Sequence, residues 1–393
     1  MARPWPPKGR SNLPPGEEGN MSGVTRHAVR KPLEGIGLWE KMARRRAVLS
    51  FDLELTSRCN LDCRHCYINL PARDRASKQK ELTAAEIDRL GGEAAALGAI
   101  WCLLTGGEPL LRKDFSGIYR GLKERGLKVS VYTNATLVRP PHVRLFQALP
   151  PDVLEVTVYG ATRETYERVT RAPGSFAAFE RGLDRLLAGG VKVRLKAMAL
   201  RSNRHEIDRI AELCRCRTRE TFRFDPLLHL RFDRDAIRNR EIAAERLAPA
   251  EIALLERSDP ERFAALTSRC GELIQSEPEG TGCRHLFRCG AGLASFAIGA
   301  DGKFRLCPSL THPACLYDLR SGSLSDAWER FVPAVRAMTT DRREYLEKCG
   351  ACPVINLCLW CPAHAYLETG ELDAPVDDFC HMAWARAESL KKG

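Results

Sequence analysis

The spacing of sixteen cysteines constrains this 393-residue chain more than any other feature. A disulfide scaffold is normally a short secreted chain, whereas a chain this long builds a core without staples. The N-terminus, MARPWPPKGRSNLPPGEEGN, has proline, glycine and charge where a signal peptide needs an apolar core. No apolar run approaches the roughly 18 residues of a membrane span. The expectation is therefore a cytoplasmic protein with no membrane partner, whose clustered cysteines bind metal or do redox chemistry.

The cysteines fall into two constellations separated by an alternating pattern. From Leu49 to about Leu228, apolar strands alternate with amphipathic helices. Strands are predicted at Ser50–Leu55, Ile100–Thr105, Lys128–Thr133, Val153–Tyr159, Val191–Leu200 and Thr221–Phe224. Helices are predicted at Ala84–Leu97, Asp114–Arg125, Pro141–Ala148, Phe176–Ala188 and His205–Cys214, the first opened by a Thr83/Glu86 capping box. Near-continuous apolar strands joined by helices imply a parallel sheet, here an α/β partial (β/α)6 TIM-like barrel. An open doubly wound sheet is the competing layout. Residues 1–48 read as a flexible basic leader with one helix near Trp39–Arg46. Residues 229–282 read as a helical bridge, and 283–393 as a segment of few large apolar residues that needs metal to hold its shape.

The first constellation, Cys59-Asn-Leu-Asp-Cys63-Arg-His-Cys66, follows the first strand. Three thiolates in one loop suit three irons of a cubane, with a fourth left open; a zinc site completed by His65 is the competing reading. The loop lies at the C-terminal end of a barrel strand, where such folds do their chemistry. The second strand ends in Gly106-Gly107-Glu108-Pro109, whose glycines permit close backbone approach to a ligand and whose carboxylate accepts from an ammonium group. The second constellation comprises Cys283, Cys289, Cys307, Cys349, Cys352, Cys358, Cys361 and Cys380, enough for two complete cubanes or, in its CxxC pairs, a zinc ribbon. Cys102 reads as a buried small hydrophobe and Cys315 as an alternative ligand or active thiol. Cys214 and Cys216 end a helix, and Cys270 has no reading.

CxxxCxxC followed by GGEP resembles the radical S-adenosylmethionine (radical SAM) superfamily over about residues 49–228. The resemblance implies a [4Fe–4S] cluster on Cys59, Cys63 and Cys66, with S-adenosylmethionine bound at its open iron. It places His65 near the adenine and Gly106, Gly107 and Glu108 on the methionine amino group. Asn134, Thr157 and Lys196 at later strand positions are further cofactor contacts by resemblance, and Arg168 would reach the carboxylate or ribose. Residues 283–382 resemble the SPASM domain. That implies one auxiliary [4Fe–4S] cluster on Cys283, Cys289, Cys307 and Cys361, and a second on Cys349, Cys352, Cys358 and Cys380. Two departures bear on Cys361: only two residues separate it from Cys358, where three are usual, and the stretch from Cys289 to Cys307 is long.

The resemblance implies an oxidoreductase maturing a ribosomally made peptide or protein, fed electrons by a flavodoxin- or ferredoxin-type donor. A haem-type tetrapyrrole enzyme of the same architecture is the alternative. Pro308 stands where sulfatase-maturing members have a proton-accepting Asp, which disfavours that activity. The short leader implies that a separate protein, or else the bridge region, recognises any leader peptide. No nucleic-acid partner is expected. Of the net charge of +11, ten Lys/Arg against four Asp/Glu in residues 1–49 account for more than half.

Overall fold

The computed structural model describes residues 46–275 and 284–391. Most of the leader, its expected helix up to residue 45, and Cys283 lie outside the described residues. Arg46 and Val48, assigned to the leader, are already part of the fold. Val48 is fully buried, and the Trp328 indole N–H donates to the Arg46 carbonyl at 2.7 Å.

Six parallel strands form as expected: β1 Ser50–Thr56, β2 Trp101–Gly106, β3 Lys128–Thr133, β4 Leu154–Val158, β5 Val193–Met198 and β6 Arg223–Asp225. They pair strictly in chain order, with no reversal of the kind a doubly wound sheet requires. One face of the sheet is covered by helices and buries Phe51, Leu53, Leu104, Val129, Val131, Val156 and Leu195. The strands alternate, so the opposite, concave face carries Asp52, Glu54, Tyr132, Glu155, Thr157, Lys196 and Arg223. The apolar face holds the sheet together, and the concave face is free to be chemical. The Thr83/Glu86 capping box opens helix Ala84–Ala96 as expected.

Two features depart from the sequence expectation. No helix is expected from the sequence at Arg163–Thr170, whose strongly polar composition masks an amphipathic pattern. Its buried side is Thr165, Tyr166, Val169 and Thr170, held by Tyr166 stacked on Phe179 at 5.1 Å. The C-terminal segment also has a core, because it shares one with the barrel. Strand β7 Ser295–Ile298 pairs parallel with β1, and β8 Lys303–Arg305 and β9 Tyr317–Asp318 follow antiparallel. Phe296 stacks on Phe51 with ring centres 5.4 Å apart. Low apolar density concealed this, since β7 has only four residues and its partners lie far away in sequence. The bridge is helical at Ala236–Glu245, Pro249–Ser258, Pro260–Thr267 and Cys270–Leu273. Proline at the first helical position, where no backbone donor is needed, starts two of them. Terminal helix Asp377–Lys391 returns to the bridge through a buried Arg386–Glu256 ion pair at 2.7 Å.

Candidate active site at the mouth of the barrel

The cysteine loop leaves β1 and is tied down on three sides. Below it, the amides of Gly107 and Glu108 donate to the carbonyls of Thr56 and Arg58 at 2.6 and 2.9 Å. To one side, the amides of Asp62 and Arg64 donate to the carbonyls of Thr170 and Val169 at 3.0 and 3.1 Å, at the end of helix Arg163–Thr170. On the other, Arg231 reaches the Asn69 carbonyl at 3.2 Å and Arg238 the Cys63 carbonyl at 3.3 Å. Neither arginine is legible as functional in the sequence, because both come from the bridge and act on a loop about 170 residues earlier.

Cys59, Cys63 and Cys66 turn their thiols toward one another. Burial pushes the Cys63 thiol far up, and the neighbouring Cys66 and Cys59 sulfurs add to the effect. Burial likewise raises Cys59 and Cys66. Three soft donors this deeply buried hold a proton each unless a positive centre takes their charge, which is the chemistry of a thiolate-bound metal cluster. Among the described residues no three side chains group as ligands of a single ion. Amide donors already face two of the sulfurs: Leu61 to Cys59 and Asn69 to Cys66, each at 3.4 Å. The Tyr159 hydroxyl donates to Cys63. His65 is buried against the Tyr159 ring at 5.3 Å, and its Nδ1 has no partner. Burial, reinforced by Lys196, pulls its imidazole down to about 4, so His65 is neutral at pH 7. A neutral ring with one unsatisfied nitrogen beside the cysteines fits contact with a bound group.

The GGEP turn has a role within the fold that its glycines do not reveal in the sequence. A Cβ on Gly107 would sit 2.2 Å from the Arg58 carbonyl oxygen, and one on Gly106 2.3 Å from that of Thr56; Gly106 also has φ +125°. The glycines therefore let the turn dock onto the root of the cysteine loop, the nearest obstacle being protein backbone. Glu108 is fully buried and accepts from the Thr133 hydroxyl at 2.7 Å and from the amides of Asn134 and Leu110 at 2.8 and 3.0 Å. Burial pushes its carboxyl up to about 7. In this arrangement it locks the ends of β2 and β3 together. The Asn134 side chain is turned to the loop, with Nδ2 3.7 Å from the Cys59 sulfur and 3.2 Å from Asn60 Oδ1.

Thr157 and Lys196 are register neighbours on the concave face. Lys196 pairs with buried Glu155 at 3.2 Å and lies over the Tyr132 ring at 4.9 Å. Arg168 is not brought to this group. Its guanidinium, 43% exposed, pairs with Glu164 at 3.4 Å along its own helix. Tyr159, Glu155 and the Asp52/Glu54 pair were missed by sequence reasoning, although strand alternation places all of them on the concave face.

The C-terminal cysteines form two groups. The Cys307 thiol, pushed up to about 12 by burial, feels Cys361 and Cys289 next. His364 sits against Cys361, with its amide 3.5 Å from the sulfur, and lowers that thiol against the effect of burial. Cys349, up to about 12 through burial, feels Cys380, Cys358 and Cys352. Cys315 is fully buried in the main core and belongs to neither group. Cys270 packs in the apolar cluster that includes Cys352 and Cys358. A cavity of about 240 Å³ between bridge and C-terminal segment is lined by His229, Leu247, Leu359, His364 and Phe379.

Among the described residues no helix is long and apolar enough to cross a membrane. Comparison with known proteins agrees with the site. The chain is 27% identical to AdoMet-dependent heme synthase of Methanosarcina barkeri over 81% of this chain and 92% of that one. A match to PqqA peptide cyclase of Ruegeria pomeroyi, at 31% identity, spans only 42% of that relative's length. In fold, the chain resembles Streptococcus suis SuiB bound to precursor peptide SuiA, with TM-score 0.64 and 14% identity over 92% of this chain and 83% of that one. It also resembles anSMEcpe with bound AdoMet, with TM-score 0.62 and 13% identity over 88% and 97%. The family profile described as the radical SAM superfamily matches residues 53–214, the span that carries the cysteine loop, the GGEP turn and strands β2 to β5. That span is a radical SAM domain.

Proposed function

We propose that the chain is a radical SAM/SPASM oxidoreductase that abstracts hydrogen from a ribosomally made peptide or protein and so matures it. The observation that carries the reading is the convergence of three buried thiols beside a turn docked on their own loop. Cys59, Cys63 and Cys66 would hold a [4Fe–4S] cluster, which with S-adenosylmethionine supplies a 5′-deoxyadenosyl radical once reduced. His65, Gly106, Gly107, Glu108 and Asn134 would position that cofactor, with Thr157 and Lys196 deeper on the concave face. The protein's part is to orient the reactants and keep water out of the barrel. Cys289, Cys307 and Cys361, with Cys283, would hold one auxiliary cluster, and Cys349, Cys352, Cys358 and Cys380 the other. A flavodoxin- or ferredoxin-type donor would supply electrons, and a separate protein would present the leader of a precursor peptide.

The near full-length likeness to a heme synthase favours a second reading, a tetrapyrrole-modifying enzyme. Substrate deuterated at carbon separates the two. Anaerobically reconstituted protein should move deuterium into 5′-deoxyadenosine from a peptide encoded near the gene. Transfer from a tetrapyrrole precursor instead makes the second reading correct.

A further inference from the structure

The concave face carries four carboxylates whose environments differ. Glu54 bonds Arg305 of β8 at 2.7 Å. Glu155 pairs with Arg223 at 2.9 Å and Lys196 at 3.2 Å, and Asp225 lies 3.8 Å from Lys196. Asp52 has no hydrogen bond or ion pair among the described residues. Its neighbours across the sheet are Leu103 on β2 and Ala297 on β7, neither polar, and on its own strand the same face carries Glu54. Burial, reinforced by Glu54, pushes the Asp52 carboxyl up to about 7, and a bound cation would restore its charge. Tyr67 and Tyr132 both lie within electrostatic reach of the carboxylate. A second unsatisfied group lies in the same row. Arg305, 6% exposed and in register with Ala297, keeps its Nε buried without a partner while its Nη atoms serve Glu54 and Pro308. A carboxylate without a protein partner and a buried, unmet donor thus lie in one row of the barrel, and burying the donor unmet is costly.

We infer that Asp52 is the specificity-determining residue for a cationic substrate group, a side-chain ammonium or guanidinium, and that Arg305 Nε–H receives a neighbouring carbonyl. A carboxylate without a protein cation suits such a group, whereas a carboxylate side chain would be repelled by Asp52. The inference rests on the peptide reading above and specifies its substrate class.

Reconstituted full-length protein is titrated by calorimetry with acetyl-Gly-Lys-Gly-amide, its norleucine and glutamate analogues, and n-butylammonium. The lysine peptide should bind about tenfold tighter than the norleucine peptide, the factor that corresponds to about 1.4 kcal/mol. Asp52→Asn should abolish that preference, and Asp52→Glu should keep part of it. Equal wild-type binding of the norleucine or glutamate peptide overturns the inference, as does an Asp52→Asn protein that keeps the preference. Should Asp52→Asn fail to fold, the wild-type ranking decides alone. Binding of n-butylammonium that requires Asp52 supports the anchor even if deuterium transfer shows that no peptide is modified, so the two readings fail separately.

Discussion

The two cysteine regions differ in how their backbone is held. In the loop from Cys59 to Cys66, amides bond to the end of a helix about 107 residues later, and arginines from the bridge close the far side. The C-terminal quartet is held locally at the cysteines themselves. Cys349 donates to Tyr345, Cys352 to Cys349, Cys358 to Ile355 and Cys380 to Val376. Between those cysteines the turn is tied to the bridge and the last helix, where Gln275 donates to the Pro353 carbonyl at 2.8 Å and Arg386 to the Leu357 carbonyl at 2.9 Å. A loop held by distant, packed elements keeps its shape without a ligand, whereas cysteines held by their own turns depend more on whatever joins their sulfurs. The barrel site should therefore be preformed and the terminal site assembled around its cluster.

The test with the largest effect replaces Cys59, Cys63 and Cys66 together by Ala. Anaerobically reconstituted wild type should hold about twelve irons in three cubanes. The triple variant should lose about four of them and all S-adenosylmethionine cleavage, yet keep its near-native melting temperature. Stoichiometric zinc in place of iron would break the comparison at its root.

Next in size is the glycine weld. Gly107→Ala forces a Cβ onto the Arg58 carbonyl oxygen, and the backbone must move. Denaturant titration should register a loss of about 2–4 kcal/mol, because overpacking against backbone cannot be relieved by a rotamer change. A loss under about 0.5 kcal/mol would mean that the turn and the loop are not rigidly joined.

The terminal region provides the third test. In Cys349→Ala and Cys380→Ala, limited proteolysis should cut first within residues 343–391. Fragments containing β7 to β9 should survive, since that hairpin is held by β1 and the Phe51–Phe296 stack. Equal protection of both variants and wild type would show that the terminal site is preformed too, and that its cysteines serve catalysis more than structure.

The smallest effect is expected at Arg168. Its pair with Glu164 is solvent-exposed, so Arg168→Ala should cost under about 0.5 kcal/mol. It should also leave the KM for S-adenosylmethionine unchanged. A marked rise in KM would bring Arg168 back to the site that its present contacts keep it from.

Much of the barrel was legible because the evidence for it is local. Apolar runs mark β1 to β6, and Thr83 with Glu86 marks a helix start within four residues. The cysteine loop and the GGEP turn were legible because ligand spacing is a property of short sequence. Helix Arg163–Thr170 was not, since its strongly polar composition masks the side on which Tyr166 packs against Phe179.

The sequence by itself determined the identity and spacing of the sulfur donors, the strand alternation that divides each strand between core and concave face, and the caps that open the helices. Only the tertiary structure decided that the glycines of GGEP meet the backbone of Thr56 and Arg58, that Arg231 and Arg238 close the cysteine loop, and that β7 extends the barrel sheet. It also decided which carboxylates of the concave face find a cation and that Asp52 finds none. The physical reason is range. Capping, alternation and ligand spacing act over a few bonds of one segment, while packing and charge pairing act between segments far apart, 251 positions for Glu54 and Arg305, and become defined only once the chain has closed on itself.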